Sequence, residues 1–299
     1  GQGPWRARVV AAICPHDDHA YAGPLYASAL RGLRAKTVVV FGVCHGAKAL
    51  GLKDRLIFDD FAHWRGPYGP VRVTPLREEI ERRLPKEDWV ISREAHSAEW
   101  SVEGIVPWLQ YYEREVAILP VLVPHMDWER TRVLAGHLAE ALAQVVRDGG
   151  LKLGEDLAFV MSGDGVHYGD QPEGWDYAPF GCGVEGYLKA VAQDHLLSRD
   201  SLEGPVDEGK IRCLAQSLVD PNDVYRYKVT WCGRFSVTLG LSALEALSRE
   251  LGRPPLVGFL QGYGTSVGLG LQPLEKVGLG PTAPANLHHW VSYLAVAYH

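Results

Sequence analysis

The chain is short of positive charge. Its 299 residues carry 30 Lys and Arg against 36 Asp and Glu, a formal net charge of −6. A nucleic-acid-binding surface normally carries an excess of cations, so no nucleic-acid partner is expected. Long apolar runs are missing too. The stretch 9–13 is too brief for a signal-peptide core, and no later run approaches the ~20 apolar residues that a spanning helix needs, so no membrane partner is expected. Cysteine is scarce and badly spaced for cross-linking. Cys14, Cys44, Cys182, Cys213 and Cys232 are odd in number and contain no CxxC pair, which is a poor disulfide framework and makes the reducing cytoplasm the expected location. No GxxxxGK[ST] is present, and the glycine run 264–270 lacks the strand, turn and helix of a dinucleotide-binding turn.

What is present can fill a core: 46% of the residues are apolar and 22% charged. At roughly 100–200 residues per domain the length fits one large domain or two small ones. No composition shift or internal repeat marks a linker, so residues 1–299 are read as one domain. Short apolar, β-branched runs at 8–14, 37–43, 115–123, 157–162 and 256–261 are expected strands. Amphipathic stretches at 24–34, 74–84, 101–112, 128–147, 183–197, 209–218 and 236–251 are expected helices. Strands buried on both faces and separated by helices predict an α/β fold, a three-layer αβα sandwich around a central sheet. The Pro/Gly-rich segments 66–70, 169–183 and 264–284 read as surface loops.

In open α/β sheets the reactive groups gather just beyond the carboxyl ends of strands. Three histidines sit there: His16 in Cys14-Pro15-His16-Asp17-Asp18-His19, His45 in Cys44-His45-Gly46, and His167 in Gly163-Asp164-Gly165-Val166-His167. The neighbouring Gly and Pro let the backbone leave the strand abruptly and point an imidazole into a cleft. A single histidine after a strand is more often structural, but three at equivalent ends favour metal ligation by His16 and His45, because neutral imidazole is the commonest transition-metal ligand. His167 is as well suited to acid/base work, with Asp164 orienting its ring or sharing its proton. Cys232 precedes the helix expected from 236, where the helix dipole and Arg234 lower a thiol pKa; it is either a ligand or nucleophile, or a buried small hydrophobe like Cys14, Cys182 and Cys213. Glu99 and Glu103, four apart, read as a solvated helix face, Trp108 as a packing residue, and His125, His288 and His289 as surface or structural.

In order, Pro15-His16 with Tyr21 and Gly23, Gly42 through His45, Glu99-Trp100-Ser101-Val102-Glu103 with Pro107, the 118–123 strand, Ser162 through Gly169, Cys232-Gly233-Arg234 and Val291-Ser292-Tyr293 resemble the Memo family. This is the protein B component of the AmmeMemoRadiSam group, whose fold is related to the class III (LigB-type) extradiol dioxygenases. The resemblance implies a single-domain αβα sandwich around a mixed sheet. It also implies a metal site of His16, His45 and Cys232 faced by His167, with Cys232 where the ring-cleaving relatives place a carboxylate. Iron(II) is the metal expected, with copper or zinc as alternatives. Two departures bear on the substrate pocket: Asp17, Asp18 and His19 replace small residues, and Trp100 stands where the family motif has a histidine, with His96 one turn earlier as the expected compensation. The expected function is oxidative, dioxygenase-like chemistry on a small polar or aromatic substrate. A zinc or two-metal hydrolase drawing on Asp17, Asp18 and His19, and a non-enzymatic metal- or ligand-binding protein, are the alternatives.

Overall fold

A computed structural model of the protein describes residues 8–171 and 176–299, so residues 172–175 of the loop expected over 169–183 lie outside the described residues. The strands of its main sheet are β1 (Ala11–Cys14), β2 (Thr37–Val43), β3 (Leu56–Phe58), β4 (Trp89–Ile91), β5 (Ala117–Val123), β6 (Leu157–Ser162), β7 (His167–Gly169), β8 (Gly204–Pro205), β9 (Val257–Thr265) and β10 (His289–Tyr298). Across the sheet they lie in the order β8-β9-β10-β1-β6-β2-β5-β3-β4, with β7 beside β10. The middle strands β1, β6, β2 and β5 are parallel, with Cys14 beside Ser162, Phe41 beside Met161 and Val43 beside Val123. β10 is antiparallel to β1, which makes the sheet mixed.

Successive strand residues point to opposite faces, and this alternation builds two cores. Ile13, Val39, Phe41, Val121 and Phe159 point to one side, under the helices Trp128–Gly149 and Arg234–Glu250. Ala12, Val38, Val40, Ile118 and Val160 point to the other, under the helices His19–Leu30 and Val106–Tyr112. Each fully buried Leu or Phe contributes about 1.5–3 kcal/mol. The result is the expected α/β sandwich of three layers. Local signals set the ends of the longest helix: the Asp127 side chain accepts from Arg130 N, and Gly150 closes it at φ 59° in the left-handed region that glycine tolerates.

The strands expected at 37–43 and 157–162 coincide with β2 and β6, while other elements differ from expectation: the first helix, expected over 24–34, spans His19–Leu30, and the strands β3 and β4 were not anticipated. The helix expected over 101–112 is broken into Trp100–Glu103 and Val106–Tyr112. The break falls beside Gly104, where a Cβ would come within 2.8 Å of the Tyr26 hydroxyl. The strand β10, buried over Trp290–Tyr298 between β9 and β1, was not anticipated. Its sequence, His-Trp-Val-Ser-Tyr-Leu-Ala-Val-Ala-Tyr, lies buried on both faces and so lacks the polar alternation that marks a half-exposed strand.

Candidate metal centre

Because β1, β6 and β2 are parallel neighbours, their carboxyl ends deliver His16, Asp164 and His45 to one edge of the sheet. The fourth element is the turn ahead of the helix Arg234–Glu250, which carries Cys232. Glycine permits that approach: a Cβ on Gly163 would stand 2.4 Å from the Gly233 Cα, and one on Gly240 would stand 2.4 Å from Met161 Cγ. The helix therefore sits directly on β6 and brings Cys232 against the loop after it.

Each imidazole is fixed through its Nδ1. The Ser162 hydroxyl donates to the Ser101 carbonyl at 2.6 Å, so its single proton is committed and it accepts from His16 Nδ1 at 2.9 Å. That assigns the Nδ1–H tautomer and leaves a lone pair on Nε2. His45 is held in the same sense by Glu99, whose Oε1 lies 2.9 Å from Nδ1 and whose Oε2 accepts the His45 backbone N–H at 2.8 Å. Burial opposes the Glu99 charge, but bonds from His45 and Ser101 outweigh it and hold the carboxyl below its ordinary value. Glu99 is thus a buried carboxylate that orients His45, not part of the solvated face expected from its spacing with Glu103.

The Nε2 of His16 lies 3.3 Å from Cys232 Sγ, and one ligand atom each from His16, His45 and Cys232 falls within 4.8 Å of the others. With a lone pair on Nε2, His16 is placed to accept from the Cys232 thiol across this contact. Burial, reinforced by the Asp164 charge, pushes the Cys232 thiol well above its ordinary value. This corrects the expectation of a thiolate produced by the helix end and Arg234. The Arg234 guanidinium instead lies 3.6 Å from the Tyr227 ring centre and donates to the Trp231 carbonyl at 2.5 Å, and its opposing influence is the smaller one. A two-imidazole, one-thiol set with both Nδ1 positions anchored fits a divalent metal, since a bound cation displaces the thiol proton that burial otherwise retains.

Asp164 works toward His16 and Cys232. Its Oδ1 accepts the His16 backbone N–H at 3.1 Å, its own N–H points to Sγ at 3.1 Å, and its Oδ2 lies 3.3 Å from His16 Nε2. The last contact is not an ion pair: burial, then His45 and His167, push His16 well down, while burial and Asp17 push Asp164 well up. His167 faces the site from β7, with a ligand atom within 4.8 Å of those of Asp164 and Cys232, and burial takes it down to about 3. It is a neutral base at physiological pH.

The histidines and Asp164 open into a cleft of about 660 Å³. Trp100 stacks on His45, ring centres 4.4 Å apart and planes 12° apart, and stays half exposed. Asp17, Asp18 and His19 line the cleft as expected, but each has a structural partner. Asp17 Oδ2 accepts from the Tyr293 hydroxyl, Asp18 Oδ2 from Thr282 N, and His19 Nε2 meets the Gly104 carbonyl, at 2.7, 2.6 and 2.8 Å. None of the three belongs to a metal-ligating group among the described residues. His96 is a correction. The helix Arg93–Ser97 turns it inward, where Nε2 meets the Ile57 carbonyl at 3.0 Å beside Phe61 and Trp64, and it does not line the cleft. His289, read as surface or structural, does line it. His125 is buried and structural, while Cys213, read as a buried hydrophobe, is exposed.

A family model described as Memo-like protein matches residues 3–255. The chain belongs to the Memo-like family. Its curated relatives include MEMO1 family proteins of Methanothermobacter thermautotrophicus, 28% identical over 55% of this chain and 56% of the relative, and of Methanosarcina barkeri, 29% identical over 54% and 55%. A MEMO1 family protein of Pyrobaculum aerophilum is 31% identical over 52% of each chain. The chain spans about half the length of the curated relatives it matches.

Two residues that build this Memo-like centre were not assigned to it by sequence reasoning, Glu99 being read as part of a solvated helix face. Ser162 and Glu99 set the imidazole tautomers, and each signal was local: Ser162 ends β6 immediately before Gly163-Asp164, and Glu99 precedes the Trp100–Glu103 helix that it caps by accepting from Ser101 N. Tyr293, on the unanticipated strand β10, fixes Asp17.

Proposed function

We propose that the protein is a mononuclear metal-dependent enzyme of oxidative, dioxygenase-like character, with iron(II) held by His16, His45 and Cys232. The observation that carries this reading is the pair of Nδ1-anchored imidazoles, both lining an open cleft, with one ligand atom from each and Cys232 Sγ within 4.8 Å of one another. Iron bound there supplies a one-electron couple and coordination positions left open for a chelating substrate. The protein's own residues do the rest. Ser162 and Glu99 keep the two imidazoles facing the site. His167, held neutral by burial, would accept a hydrogen bond from the hydroxyl of a bound substrate. Asp164 holds the His16 and Cys232 loops together. The aromatic Trp100 and the mixed polar wall suit a small polar or aromatic substrate.

Two imidazoles and a thiolate also suit copper or zinc. Elemental analysis of anaerobically purified protein separates these metals, and oxygen uptake with catechols and aminophenols tests the chemistry. Iron near one equivalent with oxygen-dependent turnover is the expected result. An absence of metal both as purified and after iron reconstitution overturns the reading. The two-metal hydrolase loses support because Asp17, Asp18 and His19 are engaged with Tyr293, Thr282 and Gly104.

A further inference from the structure

The walls of the cleft are rich in carboxyl groups. Asp17, Asp18, Glu103 and Asp164 line it, and no lysine or arginine does among the described residues. Asp17 and Asp164 are turned inward, the first toward Tyr293 and the second toward His16. The other two stand at the rim. Glu103 is exposed and makes no ion pair among the described residues. Asp18 is part-exposed and is steadied by Thr282 through Oδ2 alone. A hydrogen bond from His19 Nε2 to the Gly104 carbonyl, 2.8 Å, ties the residue after Asp18 to the residue after Glu103, so the two rim carboxylates flank one short bridge.

Trp100 supplies the second half of the arrangement. It shares the helix Trp100–Glu103 with Glu103, its indole is 51% exposed, and one face rests on His45. Residues three apart on a helix stand ~5–6 Å apart at Cβ, a span matched by an aromatic ring and an ammonium on a two-carbon tether. An exposed indole also attracts cations through its ring face. A carboxylate in the same position faces the rim carboxylates and finds no lysine or arginine on the wall among the described residues.

We propose that the cleft recognises an aromatic amine in its ammonium form, ring against Trp100 and ammonium between Glu103 and Asp18. Which end of such a substrate meets the metal rests on the proposed function above; the recognition of ring and ammonium does not. The test therefore uses the metal-free 299-residue chain and two probes with the same ring and opposite charge, 2-phenylethylamine and phenylacetate. Binding is followed by calorimetry and by quenching of tryptophan fluorescence at neutral pH and low salt. The amine is expected to bind at least about tenfold more tightly than the acid, a gap of ~1.4 kcal/mol, with the preference shrinking as salt screens the rim. In the double variant Glu103→Gln, Asp18→Asn that ratio should fall toward one. Trp100→Ala should weaken both probes. Glu103→Gln alone, at an exposed position, is expected to lower the ratio in the same direction. The proposal is overturned if the acid binds as tightly as the amine, if the amine does not bind, or if the ratio survives in the carboxylate variants. Metal content, measured on separate samples, judges the proposed oxidative function independently: an amine preference in a protein that takes up no metal sinks only that function.

Discussion

Single side chains at the centre act through the second nitrogen of each imidazole. Glu99→Gln keeps the shape but removes the charge that favours His45 Nδ1–H, and metal affinity is expected to fall ~10–100-fold, as losses of such outer partners do; competition with a chelator of known affinity measures it. Cys232→Ser removes the soft ligand and should abolish tight binding of the metal, read as stoichiometry after gel filtration. His125, packed against Tyr225 and Phe235, offers a pH test. Burial, followed by the charges of Arg234 and Lys48, takes it from 6.5 down to about 4. The unfolded chain therefore gains a proton on this histidine below about pH 6.5, whereas the folded one resists until about pH 4. Stability from this group is full above pH 6.5 and drains away as pH falls across that window. His125→Phe should lose less stability than the wild type between pH 7 and 5, measured by urea unfolding; an equal loss in both proteins would refute the assignment.

Among secondary elements, the contact between the loop after β6 and the turn ahead of Arg234–Glu250 decides whether the centre exists. A methyl at Gly163 meets backbone on the other side, which cannot rotate away as a side chain can. Gly163→Ala is expected to cost about 1–3 kcal/mol, the range for overpacking. It should also lower metal affinity, because Asp164 and Cys232 stand on either side of the contact. Urea denaturation and metal titration of the variant check both, and unchanged metal binding would show that the loops tolerate separation. At this scale the sequence was legible where the pattern is periodic and uninterrupted. The runs 37–43 and 157–162 are β2 and β6 residue for residue, because buried parallel strands read as continuous apolar segments. The broken helix at Gly104 and the inward turn of His96 were not legible: both depend on what packs opposite, namely Tyr26 in one case and the Ile57 carbonyl in the other.

For the molecule as a whole, Asp194 is the tie between remote segments. From the helix Val184–Leu202 it accepts Trp231 Nε1 at 2.6 Å, the Ser292 hydroxyl at 2.6 Å and the Tyr263 hydroxyl at 2.8 Å. One carboxyl thus joins β9, β10 and the segment just before Cys232. Asp194→Ala strands two buried donors, on Trp231 and Ser292, and the part-buried Tyr263 hydroxyl, each buried donor costing about 1–3 kcal/mol when unsatisfied. A loss of at least ~3 kcal/mol in urea unfolding is expected, together with weaker metal binding; a loss confined to a few tenths would show that the network is dispensable. The sequence by itself determined the class of fold, through the alternation of apolar strands with amphipathic helices. It also determined which histidines stand at strand ends, because a strand end is a local property of the chain. Only the tertiary structure decided that β10 enters the middle of the sheet, that Glu99 is a buried carboxylate rather than a surface one, and that Cys232 is buried against His16. Those outcomes depend on desolvation and on partners far away in the chain, and no local pattern encodes them.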